Sequence, residues 1–165
     1  MVTPIRTTAL AAAGTLLAAG GALAAPAAAT PRTTAAPTAV AQVVNARYAG
    51  HPTYDRIVID VKGTLPGATV KRVTQLRYDG SGAKVPLAGT YFLQIVLNPA
   101  AAHNSAGASV YKGPRLVKTQ LTRVKGIALT GDFEGYVSFG VALNKKPTWT
   151  TLRLTSPSRF VVDIR

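Results

Sequence analysis

Asp132 and Glu134 stand two residues apart in Gly131-Asp132-Phe133-Glu134-Gly135, the one close acidic pair in the chain. On an extended strand that spacing puts both carboxylates on one face. Two carboxyl groups about 5 to 9.5 Å apart are what glycoside hydrolysis requires. The flanking glycines point instead to a bulged or tight turn whose acids bond loop backbone or a basic neighbour. The two histidines, His51 and His103, both fall in turn-like segments. With Asp55 they would make a ligand set, but no HExxH or comparable spacing joins them, and the favoured reading is that each imidazole bridges loop backbone. No Gly-x-Ser-x-Gly elbow activates a serine, so Ser81 and Ser105 have no assigned partner. Gly80-Ser81-Gly82 lacks the rest of a phosphate-binding loop and reads as a hairpin turn. His51, Asp55, Asp132 and Glu134 therefore form a candidate polar site, with no catalytic residue, metal or cofactor assigned.

Charge is the second source of chemistry. The 165 residues carry 19 Lys+Arg against 6 Asp+Glu, a formal net charge of +13. The densest window runs from Lys112 to Lys125 and holds five cations (Lys112, Arg115, Lys118, Arg123 and Lys125) with no acid. Tyr111 adjoins it, and Trp149 is a further aromatic expected at the surface. Such a patch attracts an anionic polymer in a salt-sensitive way. The plainer alternative is a basic surface that keeps the protein soluble. With 47% hydrophobic residues and 15% charged, the chain is too apolar for a disordered polycation. The absence of cysteine excludes disulfides, thiol nucleophiles, Cys-based zinc sites and a lipid anchor on Cys.

The elements that would position these residues begin after residue 42. Residues 1–25 have the order of a secretory signal: Arg6 in a short leader, an apolar Ala/Leu run, then Ala22-Leu23-Ala24 as a cleavage site. The run is diluted by Ala and Gly, marginal against the roughly 20 strongly apolar residues of a membrane span. Cleavage near Ala24 or Ala25 is expected, leaving no stable span. Residues 26–42 are Ala/Thr/Pro-rich and read as a solvated linker.

Residues 43–165 retain 17 Lys+Arg and all 6 acids, a net +11. Runs of β-branched and aromatic residues between Gly, Pro, Asn and Asp predict roughly eight short strands in an all-β sandwich. They are 43–48, 56–62, 69–76, 91–97, 119–124, 136–143, 149–154 and 159–164, with a short helix as an alternative within 117–129. In 136–143, Val137, Phe139, Val141 and Leu143 share one face, while Ser138, Gly140 and Ala142 would leave a flat outer surface. Lys71-Arg72 marks 69–76 as an edge strand. Arg56-Ile57-Val58-Ile59-Asp60 and Arg159-Phe160-Val161-Val162-Asp163 repeat one pattern and are expected as equivalent strands of the two sheets.

Over residues 43–165 the chain resembles the actinobacterial AMIN-like domain family of secreted proteins and lipoproteins. The matching elements are Gly50-His51-Pro52-Thr53-Tyr54-Asp55-Arg56, Asp79-Gly80-Ser81-Gly82 with Val85-Pro86-Leu87-Ala88-Gly89, Pro99-Ala100-Ala101-Ala102-His103, Gly131-Asp132-Phe133-Glu134-Gly135-Tyr136 and Pro157-Ser158-Arg159. The resemblance implies a small β-sandwich related to modules that direct envelope proteins to the cell wall, and it brings no enzymatic activity. The expectation is a secreted, cell-wall-associated, non-catalytic module. Its partner would be peptidoglycan or an anionic wall polymer, met through Tyr111, Lys112, Arg115, Lys118, Arg123, Lys125 and Trp149. Nucleic acid suits the charge, but export removes it as a target. The alternatives are a small envelope hydrolase using Asp132, Glu134 or a histidine, and a domain that recruits or regulates another envelope protein.

Overall fold

A computed structural model describes residues 40–165. The expected signal segment and nearly all of the linker lie outside the described residues. Ten strands form two sheets: β1 (Ala41–Gly50), β2 (Asp55–Lys62), β3 (Gly67–Val73), β4 (Tyr91–Asn98), β5 (Ala100–Ala101), β6 (Leu116–Lys118), β7 (Val124–Phe133), β8 (Tyr136–Leu143), β9 (Trp149–Thr155) and β10 (Ser158–Ile164). The first sheet runs β5-β1-β2-β10-β9 and the second β3-β4-β8-β7-β6. The all-β expectation holds, and β3 is an edge strand, as Lys71-Arg72 indicated.

Alternation builds the core. Ile57 and Ile59 on β2, Leu93, Ile95 and Leu97 on β4, Val137, Phe139 and Val141 on β8, and Phe160 and Val162 on β10 are all buried between the sheets. Each such side chain contributes roughly 1.5–3 kcal/mol of transfer free energy, before the entropy of ordering it.

Three expectations are corrected. Residues 119–124 are not a strand, and 117–129 holds no helix; β6 ends at Lys118 and β7 begins at Val124. The segment between is bound by side chains: the Thr119 hydroxyl donates to the Val124 carbonyl, and Lys125 Nζ donates to the Leu121 carbonyl at 2.6 Å. Such local bonds compete with a ladder. Second, the two Arg-to-Asp strands are neighbours in one sheet. β2 and β10 pair antiparallel with Arg159 opposite Asp60 and Asp163 opposite Arg56. The repeat thus brings each guanidinium to the other strand's carboxylate. Arg56 binds Asp163 through two hydrogen bonds of 2.7 and 2.8 Å, and Arg47 on β1 binds Asp60 through two of 2.7 Å.

Third, the small-residue face of β8 is covered. Leu76, Val85 and Leu87 from the segment between β3 and β4 lie on Ala128 and Ala142 as a second apolar cluster. A Cβ at Gly140 would come within 2.9 Å of Leu76, and one at Gly126 would strike Leu87. The small residues receive this segment. Its tip, Asp79-Gly80-Ser81-Gly82, is the turn read from the sequence: Tyr78 N donates to Ala83 O at 2.9 Å, and Gly82 N to Tyr78 O at 2.8 Å.

Candidate functional site

β7 and β8 end in a two-residue turn that projects the Asp132–Tyr136 segment. Phe133 pairs with Tyr136, and Glu134 and Gly135 between them have φ of 47° and 79°. Two consecutive positive φ values define the type I′ turn, whose twist matches paired strands. Glutamate is an unusual occupant of its first position. The turn is anchored from the β4–β5 connection, where Ala100 N donates to Gly135 O at 2.8 Å and Asn98 Nδ2 donates to the same oxygen at 3.0 Å. On the far side Asp79 N donates to Thr130 O at 2.9 Å. A Cβ on Gly131 would collide with the Asp79 carboxylate, so the glycine that opens the motif makes room for an acid from the opposite loop.

Asp132 joins two walls of the site. One oxygen accepts the Ala102 N–H at 2.8 Å and the other lies 2.8 Å from His103 Nδ1. The carboxylate thereby orients the imidazole and leaves Nε2 available. Asn104 stiffens the next loop, its side-chain oxygen accepting the N–H groups of Ala106 and Ala108 at 3.0 and 2.9 Å. A cavity of about 550 Å³ opens beside this loop, lined by Gln42, His103, Asn104, Ser105 and Glu134 among others. A second, of about 510 Å³, lies across the hairpin and is lined by Tyr78, Asp79, Arg115, Thr130, Asp132 and Phe133 among others. The Thr130 hydroxyl is buried with no protein partner. Two aromatics flank the turn uncovered: Phe133, which lines the second cavity, is 70% exposed, and Tyr136, which lines a separate pocket with Thr69 and Val96, is 51% exposed.

The sequence candidates are distributed over this geometry unevenly. Asp132 and Glu134 do not form an i, i+2 pair on a strand, because the turn intervenes; Glu134 lines the first cavity and Asp132 the second. His51 and Asp55 are not part of this cluster. Asp55 is fully buried and accepts the N–H groups of Arg123 and Val124 at 2.6 and 2.8 Å, which closes the opposite end of β7. Val124 and Asp132 are eight strand positions apart, roughly 25 Å. His51 stacks on Tyr54 with ring centroids 4.4 Å apart, and the Arg56 and Arg165 guanidinia lie 5.2 and 5.5 Å from the Tyr54 ring centre. His103, not His51, stands beside the acids.

Within the basic segment Lys112, Arg115 and Lys118 are exposed, whereas Arg123 and Lys125 are half-buried. Tyr111 and Trp149 are half-buried against the core, contrary to the expected exposure. The Tyr111 ring lies 5.9 Å from Phe139, and burial pushes its hydroxyl up to about 12 despite the nearby Arg115. The aromatics that the sequence reading missed, Phe133 and Tyr136, flank the turn. The signal for them was present: the residues of a two-residue hairpin tip have no partner sheet to cover them.

Among the described residues, no group of three or more His, Asp or Glu is placed to hold a metal ion. No helix among them is long and apolar enough to cross a membrane. Comparison with curated proteins returns no match. The model of the AMIN-like domain matches residues 41–165, so the matched region takes in both sheets and the whole hairpin site, and the chain belongs to the AMIN-like domain family.

Proposed function

We propose that this chain is a secreted, non-catalytic cell-envelope module that binds the glycan of peptidoglycan at the β7–β8 tip. The observation that carries this reading is the exposure of Phe133 and Tyr136 beside a hydrogen-bonded turn, with Glu134 lining a cavity on one side and Asp132 and Phe133 lining one on the other. A soluble domain leaves large aromatics uncovered at a fixed point where something else is to cover them. Sugar rings present apolar C–H faces for the aromatics and hydroxyls for charge-assisted hydrogen bonds to Asp79, Asp132 and Glu134. Arg115 continues the site toward Lys112 and Lys118, where carboxylate-bearing stems or an anionic wall polymer would lie. On this reading residues 1–25 direct export and the residues between them and β1, which opens at Ala41, tether the domain within the wall.

Binding to purified peptidoglycan tests the reading. A Phe133→Ala/Tyr136→Ala variant should lose retention at least tenfold while remaining folded. Retention equal to that of the unchanged chain would refute it. One observation favours a second reading, a small hydrolase: the oriented His103 shares a cavity wall with Ser105. Release of soluble fragments from peptidoglycan, abolished by His103→Ala, would establish that alternative.

A further inference from the structure

The sheet edges differ in how they are guarded. Exposed edge strands invite pairing with another chain, and folds blunt them by shortness, bulges or charge. β5 is two residues long, and the stretch of β1 it leaves uncovered begins at a bulge and carries Arg47. β6 is three residues long, and β3 carries Lys71-Arg72. β9 has none of these devices. It runs seven residues as Trp-Thr-Thr-Leu-Arg-Leu-Thr, exposed from Thr150 onward, with Leu152 and Leu154 43% and 42% exposed. Its one cation does not guard it: Arg153 turns back to donate to the Leu65 and Pro66 carbonyls at 3.1 and 2.8 Å.

The backbone register identifies what this edge can accept. Thr148 and Arg165 exchange hydrogen bonds in both directions, which marks a bonded antiparallel pair. Alternation then turns Thr150, Leu152 and Leu154 toward β10, and leaves the N–H and C=O groups of Trp149, Thr151, Arg153 and Thr155 facing outward. A second copy placed antiparallel about a twofold axis at Leu152 sets Thr151 opposite Arg153 and Trp149 opposite Thr155. All four are outward-facing residues, so the unpaired backbone groups meet one another. Leu152 meets its own counterpart at a non-bonded pair, where side chains approach most closely, and no two cations stand directly opposite.

We propose that β9 is a self-complementary interface through which two copies of this chain pair edge to edge, joining their β9-containing sheets into one continuous ten-stranded sheet. A contact of this kind is isologous, so it closes at a dimer. Because each domain is strongly basic, long-range repulsion opposes the association and added salt strengthens it. The pair would present two β7–β8 tips to one polymer, but the interface stands without that site.

The test uses the full chain in light scattering after size exclusion at rising concentration. The unchanged chain should pass from one to two chain masses. Thr151→Pro removes an outward N–H but no β9–β10 bond, and should remain a single chain with an unaltered circular dichroism spectrum. Because the protein has no cysteine, Leu152→Cys supplies a second reading that needs no loss of fold. On mild oxidation it should give a disulfide-linked dimer, whereas Leu154→Cys, whose counterpart is Thr150, should give far less. A chain that keeps one mass at all concentrations, or equal cross-linking at the two positions, would overturn the proposal.

Discussion

Each end of β7 has an aspartate, Asp55 brought from β2 at its start and Asp132 of the strand itself at its close, and the two carboxylates have different surroundings. Asp55 is fully buried and receives two backbone N–H groups from Arg123 and Val124. Asp132 is half-buried, receives one N–H from Ala102, and keeps its other oxygen for a histidine at the wall of a cavity. A buried carboxylate that closes a strand end belongs to the fold. A carboxylate that bonds two loop groups beside open volume instead fixes the wall of a cavity. The same residue type is thus divided into two roles by burial and by the backbone groups nearby.

Asp55 is the place to break the structural end. Asp55→Ala should destabilise the protein by about 4 kcal/mol, because it leaves two buried N–H groups without an acceptor. Denaturant unfolding measures this, and wall binding by the fraction still folded should be unchanged. Next in size is the Arg56–Asp163 pair across β2 and β10. Asp163→Asn should cost about 2 kcal/mol at neutral pH. The Arg56 guanidinium holds the Asp163 carboxyl below the usual carboxylate range. Its contribution is therefore complete above the unfolded carboxyl pKa near ~3.9 and is lost as the pH falls through the lower folded value. Acid unfolding of the variant should lack this part of the slope.

The alkaline side has the opposite sign. The Tyr111 hydroxyl titrates at about 12, above the ordinary value of 10.0. Stability should therefore fall as the pH rises from 10 toward 12, and Tyr111→Phe should remove that decline. Ultraviolet difference titration of the unchanged chain should show a late ionisation step that the Tyr111→Phe variant lacks. At the β7–β8 tip the effect on stability is smallest. Phe133→Ala should change unfolding free energy by no more than about 0.5 kcal/mol, since the side chain is largely in water. Its effect should appear in binding alone.

The sandwich was legible because strand alternation and turn chemistry agree along most of the chain. Val137, Phe139, Val141 and Leu143 declare a core face by period alone, and Asp79-Gly80-Ser81-Gly82 declares a turn. Residues 119–124 were misread because their β-branched composition hides side-chain bonds to backbone that bend the chain there. The face containing Gly140 and Ala142 looked like open surface because a covering segment sixty residues earlier leaves no local trace. The geometry around the turn was half legible: Gly131-Asp132-Phe133-Glu134-Gly135 marked the turn and its two acids, but the histidine beside Asp132 depends on which loop the sandwich brings alongside. Charge density drew attention to residues 112–125, although Arg123 and Lys125 are half-buried there and Tyr111 turns inward to Phe139.

The central claim, that the hairpin tip rather than diffuse basic charge binds the wall, is tested most directly by one retention experiment. The unchanged chain, Phe133→Ala/Tyr136→Ala, and Lys112→Ala/Arg115→Ala/Lys118→Ala are applied to purified peptidoglycan at low and high salt. The aromatic variant should fail to bind at either salt, while the basic variant should keep the binding that persists at high salt. Full retention of the aromatic variant, with loss confined to the basic one, would contradict the account.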